Sequence, residues 1–282
     1  MVPWAITNFR VNTLKKVGRE GFGMAKKTAY DLVVVALLAS LAGVFQVLNG
    51  VLGIPTGWGM TIDLVAVPIL LAFFLFGFEL AMWVLVLTAI VITVISPTSW
   101  IGASMKFTAT LPMLAIPAFY LLSGRSTGRF AMFLVGVLVF SALALVLAGQ
   151  LNLALRPIVD NEMPGGTLIL GLAPIILFSL LSLALLYVWK ANAHKLSSKP
   201  MQQVGIVAAV LIVALVVRGL LVIVTNYYYA GPVFLGMPTD TFMKAVPWYL
   251  IAGWNAFQGI LEFGVAWLLA YNFGFAKRYG KW

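Results

Sequence analysis

Long apolar runs and short polar segments alternate along the whole chain, and the runs have one recurrent length. A bilayer core about 30 Å thick takes about 20 apolar residues per helix. Eight runs meet that measure, at 30–49, 62–78, 80–96, 104–123, 130–149, 166–189, 203–225 and 247–271. The pattern predicts an all-α polytopic membrane bundle of about eight transmembrane helices, forming one transmembrane domain over 1–282. The second and third runs are joined only by Gly77-Phe78-Glu79, which predicts a tight antiparallel hairpin. Ahead of the first run, Phe9, Val11, Leu14 and Val17 are interleaved with Arg10, Lys15, Lys16 and Arg19. Residues 1–28 therefore read as a basic amphipathic segment on the inner membrane face, with a solvated basic tail as the alternative. No signal peptide is expected, because no apolar core of the right length precedes Tyr30.

The positions of the charges orient the bundle. If the N-terminus is cytoplasmic, the inner side receives Arg10, Lys15, Lys16, Arg19, Lys26, Lys27, Arg125, Arg129, Lys190, Lys195, Lys199, Lys277, Arg278 and Lys281. Only Lys106, Arg156, Arg218 and Lys244 remain for the outer loops and the spans. This asymmetry predicts a multi-pass protein of the plasma membrane with both termini cytoplasmic. The net charge of +10 is thus a matter of orientation, and no nucleic-acid partner is expected. Membrane lipid is the surrounding partner: the chain is 62% hydrophobic and 9% charged, against about 45–50% and about 25% in soluble domains.

Polar residues within the spans are the candidates for function, because each is expensive in hydrocarbon. Asp63 opens the second span and Lys106 lies just inside the fourth. Arg218 lies seven residues before Thr225, where the seventh run ends, and Asn226 terminates that span. In the last run Trp254, Asn255 and Gln258 follow Pro247 by seven to eleven residues, and Asn255, Gln258 and Glu262 share one helix face. All but Glu262 converge on the outer half of the bundle; Glu262 falls deeper, where it pairs with a buried cation or touches a partner. Helix-to-helix hydrogen bonding for Asn255 and Gln258, and snorkelling for Lys106 and Arg218, are the structural alternatives. The segment TNYYYAGPVFLGMP, 225–238, reads as an aromatic lip that Gly231 and Pro232 turn back over a pocket, with belt anchoring as the plainer reading. Tyr227, Tyr228, Trp100, Trp58 and Trp254 offer aromatic faces there.

Several chemistries are excluded. Without cysteine there are no disulfides, thiolate metal sites or cysteine nucleophiles, and His194 is the single histidine. No nucleophile–base pair or metal-ligand set stands out, so the chain is not expected to be an enzyme or to need a cofactor. No GxxxxGK[ST] loop holds nucleotide phosphates, so any ATP-driven step is borrowed from other subunits. A stand-alone secondary transporter, coupled through an intramembrane carboxylate such as Glu262, is the alternative.

Four stretches resemble the substrate-binding S component of energy-coupling factor (ECF) vitamin transporters, within that family the riboflavin-type branch. They are ALLASLAG at 36–43, with small residues four apart; IDLVAVPILLAFFLFGFELAMWVLVL at 62–87, similar to an Asp-x-x-x-x-Pro run followed by a Leu-Phe-Gly turn; the Asn-Tyr…Pro segment at 226–238; and VPWYLIAGWNAFQGILE at 246–262. Gln258 stands where many riboflavin-type relatives carry lysine. The resemblance covers about 30–123 and 203–271. It implies a six-helix core, with 128–189 as an inserted helical hairpin. It also implies a high-affinity vitamin-binding subunit of an ABC-type importer, for riboflavin or a similar heteroaromatic vitamin. On that likeness Asp63, Trp100, Lys106, Asn226, Tyr227, Tyr228, Trp254, Asn255 and Gln258 are the substrate-binding candidates. Ala36, Ala39, Ser40 and Gly43 would dock a coupling transmembrane subunit, which brings the ATPase subunits.

Overall fold

The structure of the chain, a computed structural model, describes residues 29–124, 128–132, 135–136 and 165–280. Helix α1 spans Ala29–Leu52. A two-stranded antiparallel hairpin, β1 (Ile54–Pro55) and β2 (Thr61–Ile62), leads into α2 (Val67–Phe76), α3 (Phe78–Ile95) and α4 (Ser99–Leu122). After α5 (Gly165–Asn192) come α6 (Val204–Thr225), α7 (Thr239–Ala245), α8 (Trp248–Trp267) and the short α9 (Phe275–Tyr279). Among the described residues, five helices are long and apolar enough to cross a membrane: Ala29–Leu52, Phe78–Ile95, Ser99–Leu122, Leu168–Lys195 and Val204–Leu235. The chain is an all-α, multi-pass membrane protein. Helix α8 is about as long as Phe78–Ile95 and carries Asn255, Gln258 and Glu262 within it. The basic segment 1–28, most of the run 130–149, and the segment with Arg156, expected as an outer loop, lie outside the described residues.

Two of the expected spans take a different form. The run at 62–78 is helical only over Val67–Phe76. Its start is delayed because Pro68, which has no N–H to give, belongs in a first turn, and residues 54–62 pair as the hairpin instead. Val67 to Leu75 are all buried, so α2 is wrapped by protein on every side. Phe74 meets Phe263 and Tyr271 edge-on, and Phe73 and Phe78 pack against Trp189 of α5. Helix α5 is therefore built into the core at this end, with Phe178, Leu185 and Trp189 buried.

The second difference concerns the tyrosines. The expectation that the seventh span stops at Asn226 and that Gly231 and Pro232 turn the chain back is overturned. Asn226–Ala230 forms a π turn that carries the helix on through Gly231–Leu235, and the chain reverses only at Gly236, whose φ is 63°. Pro232 is accommodated because the carbonyl it leaves without an N–H, that of Tyr227, accepts from Thr239 Oγ1 at 3.2 Å. Arg218 consequently lies near the middle of a 32-residue helix, not within reach of its outer end.

Helix α1 splits its small residues between two faces. Ala39 and Gly43 face the bundle, and a Cβ on Gly43 would come within 3.0 Å of Val91. Ala36 and Ser40 are exposed, among the exposed Leu32, Val33, Leu37 and Leu41.

The joint between α2 and α3 is the single residue Gly77, at φ 90° and ψ −177°. That conformation is essentially restricted to glycine, and other residues held there lose about 1–3 kcal/mol. A Cβ would also approach the Trp189 ring to 3.1 Å. Gly77→Ala is expected to lower stability by about that amount in equilibrium unfolding of the detergent-solubilised protein. Shrinking Trp189 in the same chain should not restore it, since the strain is in the backbone; full recovery in that double variant would locate the strain in the ring instead.

Candidate functional site

A cavity of about 560 Å³ opens at the end of the bundle where α1, α3 and the extended α6 finish and α4 and α8 begin. Irregular backbone forms much of its rim. The β1–β2 hairpin contributes Trp58, Gly59 and Met60, and the α3–α4 link contributes Ser96, Pro97 and Thr98. The hairpin tip turns at Gly59, φ 89°, and a Cβ there would sit 3.4 Å from the Phe234 ring, so tip and helix end meet across the opening.

The floor is polar and is assembled from the β2–α2 joint and four helices, α1, α4, α6 and α8. Asp63, between β2 and α2, caps the turn into the helix by accepting the Val65 N–H at 3.0 Å. Its Oδ1 also accepts from Lys106 Nζ of α4 at 2.5 Å and from Gln258 Nε2 of α8 at 3.4 Å. Its Oδ2 accepts from Asn49 Nδ2 of α1 at 3.0 Å. One turn deeper, Glu262 is completely buried; its Oε2 accepts from Arg218 Nη1 of α6 at 3.0 Å, and its Oε1 accepts from Gln258 Nε2 at 2.9 Å. Lys106 Nζ is also 3.8 Å from Glu262 Oε1. Gln258 thus holds both carboxyl groups with one amide nitrogen, and Lys106 lies between them.

Sequence spacing explains why these groups meet. Gln258 and Glu262 are four residues apart on one face of α8. Gly259 lets that face approach α6 closely, its Cβ position being 2.6 Å from Leu215 and 3.4 Å from Arg218 Nη1. Two cationic and two carboxylic side chains then cancel in formal charge, which suits a protein interior, where an unmatched charge is costly.

Of the nine substrate-binding candidates, Asp63, Lys106, Asn226, Asn255 and Gln258 line this one cavity. Asn255 donates to Ile251 O at 2.9 Å and toward Met60 Sδ at 3.4 Å, and Asn226 donates to Val222 O at 2.7 Å. The other four lie away from the cavity wall. Tyr227 is buried, its hydroxyl donating to Val246 O at 2.9 Å. Tyr228 packs beside a neighbouring apolar cluster. Trp100 is exposed and beside Tyr229, and Trp254 is exposed and beside Phe257. The aromatic wall is formed instead by Trp58, Phe234 and Phe242. The first of these was legible from its loop position; Phe234 and Phe242 carry no distinguishing signal in sequence. Asn49 and Arg218 are further lining residues, and each has a buried polar atom without a hydrogen-bond partner among the described residues: Asn49 Oδ1 and Arg218 Nε. Trp58 Nε1 is in the same condition. The cavity thus has an aromatic side and a polar floor, and three of its lining residues carry a buried polar atom without a hydrogen-bond partner among the described residues.

Comparison of the chain with protein-family models, with curated proteins and with solved structures gives no match.

Arg218→Met would leave Glu262 buried with its principal cation gone, a change that costs about 3–5 kcal/mol for a buried pair. Stability in detergent unfolding should fall by that order, and Arg218→Met combined with Glu262→Gln should recover most of the loss. Unchanged stability of the single variant would mean the pair does not hold the floor together.

Proposed function

We propose that the chain is the substrate-binding subunit of an ECF-type importer and that the cavity binds riboflavin or a similar heteroaromatic vitamin. The observation that carries this reading is the cavity's composition: about 560 Å³, within the range of roughly 300–1,000 Å³ common for small-molecule sites, with an electroneutral polar floor and an aromatic side. Each cation of the floor already has a carboxyl partner, so a carboxylate or phosphate would find no unmatched positive charge. A flat, uncharged ligand that stacks on Trp58 or Phe234 and offers both donor and acceptor atoms to Asn49, Trp58 and Gln258 suits it better. The distribution of basic residues supports an eight-helix arrangement with both termini cytoplasmic, which turns the cavity outward, as uptake across the plasma membrane requires. In this arrangement the six-helix core is completed by an extra hairpin over 128–189.

Energy comes from partners. The exposed small residues Ala36 and Ser40 allow close approach of a coupling transmembrane subunit's helix, and that subunit would carry the ATPases. Ala39 and Gly43, facing the bundle, are unsuited to that contact. The secondary-transporter reading is less favoured, because Glu262 is fully buried and engaged by Arg218 and Gln258, as a brace would be.

The deciding experiment is a riboflavin titration of the purified protein, following quenching of flavin fluorescence, with mass spectrometry of any co-purified small molecule. Saturable quenching that weakens at least about tenfold, or about 1.4 kcal/mol, on Asn255→Ala or Trp58→Ala supports the site. A colourless protein that leaves riboflavin fluorescence unchanged removes the flavin assignment. In cells, Ala36→Leu with Ser40→Leu should spare binding and abolish uptake; uptake that survives both changes would remove the docking role of that face.

A further inference from the structure

The cavity-lining residues of α6 and its extension include Arg218, Val222, Asn226, Ala230 and Phe234, each four positions after the last. In an unbroken α-helix a step of four residues overshoots a full turn by about 40°, so four steps would carry Phe234 about 160° away from Arg218. The π turn at Asn226–Ala230 accommodates one surplus residue and takes back about 100° of that rotation. About 60° remains, so the deep end and the outer end of one long helix face the same cavity. Without the surplus residue taken up there, Ala230 and Phe234 would turn toward neighbouring helices.

A wider turn needs room. Gly171 of α5 supplies it: a Cβ on that residue would lie 2.3 Å from Tyr229 Cβ and 2.8 Å from both the carbonyl carbon and the oxygen of Tyr228. Two of those three atoms are backbone, so no side-chain rotation relieves the overlap. The tyrosines then pin the turn in position. Tyr229, buried at 1% exposure, has its hydroxyl 3.0 Å from Ser104 Oγ of α4, two residues before Lys106. Tyr227 reaches Val246 O between α7 and α8, and its own carbonyl is held by Thr239.

We propose that the π turn Asn226–Ala230 is the register device that decides which residues of α6 form the cavity wall, and that Gly171 is a positioning residue for ligand recognition, acting through it. The tyrosine triplet serves as a set of struts for this turn. The ligand-recognition half of the proposal rests on the function proposed above; the register half does not.

The chain has no cysteine, so single cysteines can be introduced and labelled without background. Ala230→Cys and Met105→Cys both place a thiol on the cavity wall, on different helices. Labelling with the charged reagent methanethiosulfonate ethyltrimethylammonium is measured in the Gly171 chain and in Gly171→Ala. The expected result is that Met105→Cys reacts equally in both. Ala230→Cys should slow by about an order of magnitude in Gly171→Ala, because a thiol turned into packing reacts only through local opening. Equal rates for Ala230→Cys in the two chains overturn the proposal. A second variant combines Gly171→Ala with deletion of Tyr228. It removes the surplus residue, returns the segment to α geometry with Phe234 still facing the cavity, and should restore Ala230→Cys labelling. If the deletion restores nothing, the proposal fails, even where Gly171→Ala alone yields no folded protein. Riboflavin titration of the same chains separates the two readings. Absence of quenching in the unsubstituted protein removes the ligand assignment and leaves the labelling result standing. Equal labelling removes the role of Gly171 whether or not riboflavin binds.

Discussion

Four formally charged side chains from four separate elements meet at the floor of the cavity, and this end of the bundle is organised around that meeting. Asp63, Lys106, Arg218 and Glu262 could not be buried singly in a membrane protein, where each would lack both water and a partner. Together they cancel, with Gln258 bridging the two carboxyl groups. The consequence is geometric as well as electrostatic. The β2–α2 joint, α4, α6 and α8 must keep their relative heights for the contacts of 2.5 to 3.0 Å to persist. Asn49 ties α1, otherwise largely exposed, to the same point.

The polar face of α8 was legible in the sequence, because Asn255, Gln258 and Glu262 fall at intervals of three and four, and hydrocarbon tolerates such a stripe only against protein or water. Asp63 and Lys106 could be assigned to one end of the bundle for the same reason. What could not be read was depth. Arg218 and Glu262 were expected in different halves of the membrane, since the helix carrying Arg218 was expected to stop at Asn226. Asn, three aromatics, Gly and Pro in succession are the composition of a helix end, and local propensity favours that reading. The helix continues because tertiary contacts supply what the segment lacks: Thr239 answers the carbonyl freed by Pro232, and Gly171 makes room for the wider turn. Thr239 lies just past the segment at the start of α7, but Gly171 is far from it in sequence, on α5, in the stretch expected to be an inserted hairpin.

The tyrosines illustrate the same limit at the level of single side chains. A run of three aromatics beside a pocket suggests stacking surface, yet consecutive residues on a helix point about 100° apart. Here Tyr227 and Tyr229 are both buried, each with its hydroxyl engaged. The rings on the cavity wall come instead from Trp58, legible from its loop position, and from Phe234 and Phe242, which nothing in the local sequence distinguishes from the many other aromatics of an apolar chain.

The location of the cavity follows from a backbone constraint. Non-helical peptide groups at membrane depth must be satisfied by protein or by water. Among the described residues, the β1–β2 hairpin, the turn from Asp63 to Ala66 and the link at Ser96–Thr98 bring such groups together at the cavity end of the bundle. The hairpin satisfies part of its own backbone through the β1–β2 pairing and the Thr56 N–H to Met60 O bond of 2.7 Å. Asp63 satisfies the Val65 N–H, and Ser96 Oγ accepts from the Thr98 N–H at 3.3 Å. A transmembrane helix in place of this hairpin would seal that end of the bundle. By starting α2 only at Val67, the chain keeps a polar mouth directly above its paired charges, where irregular backbone and floor alike find protein partners for their polar groups.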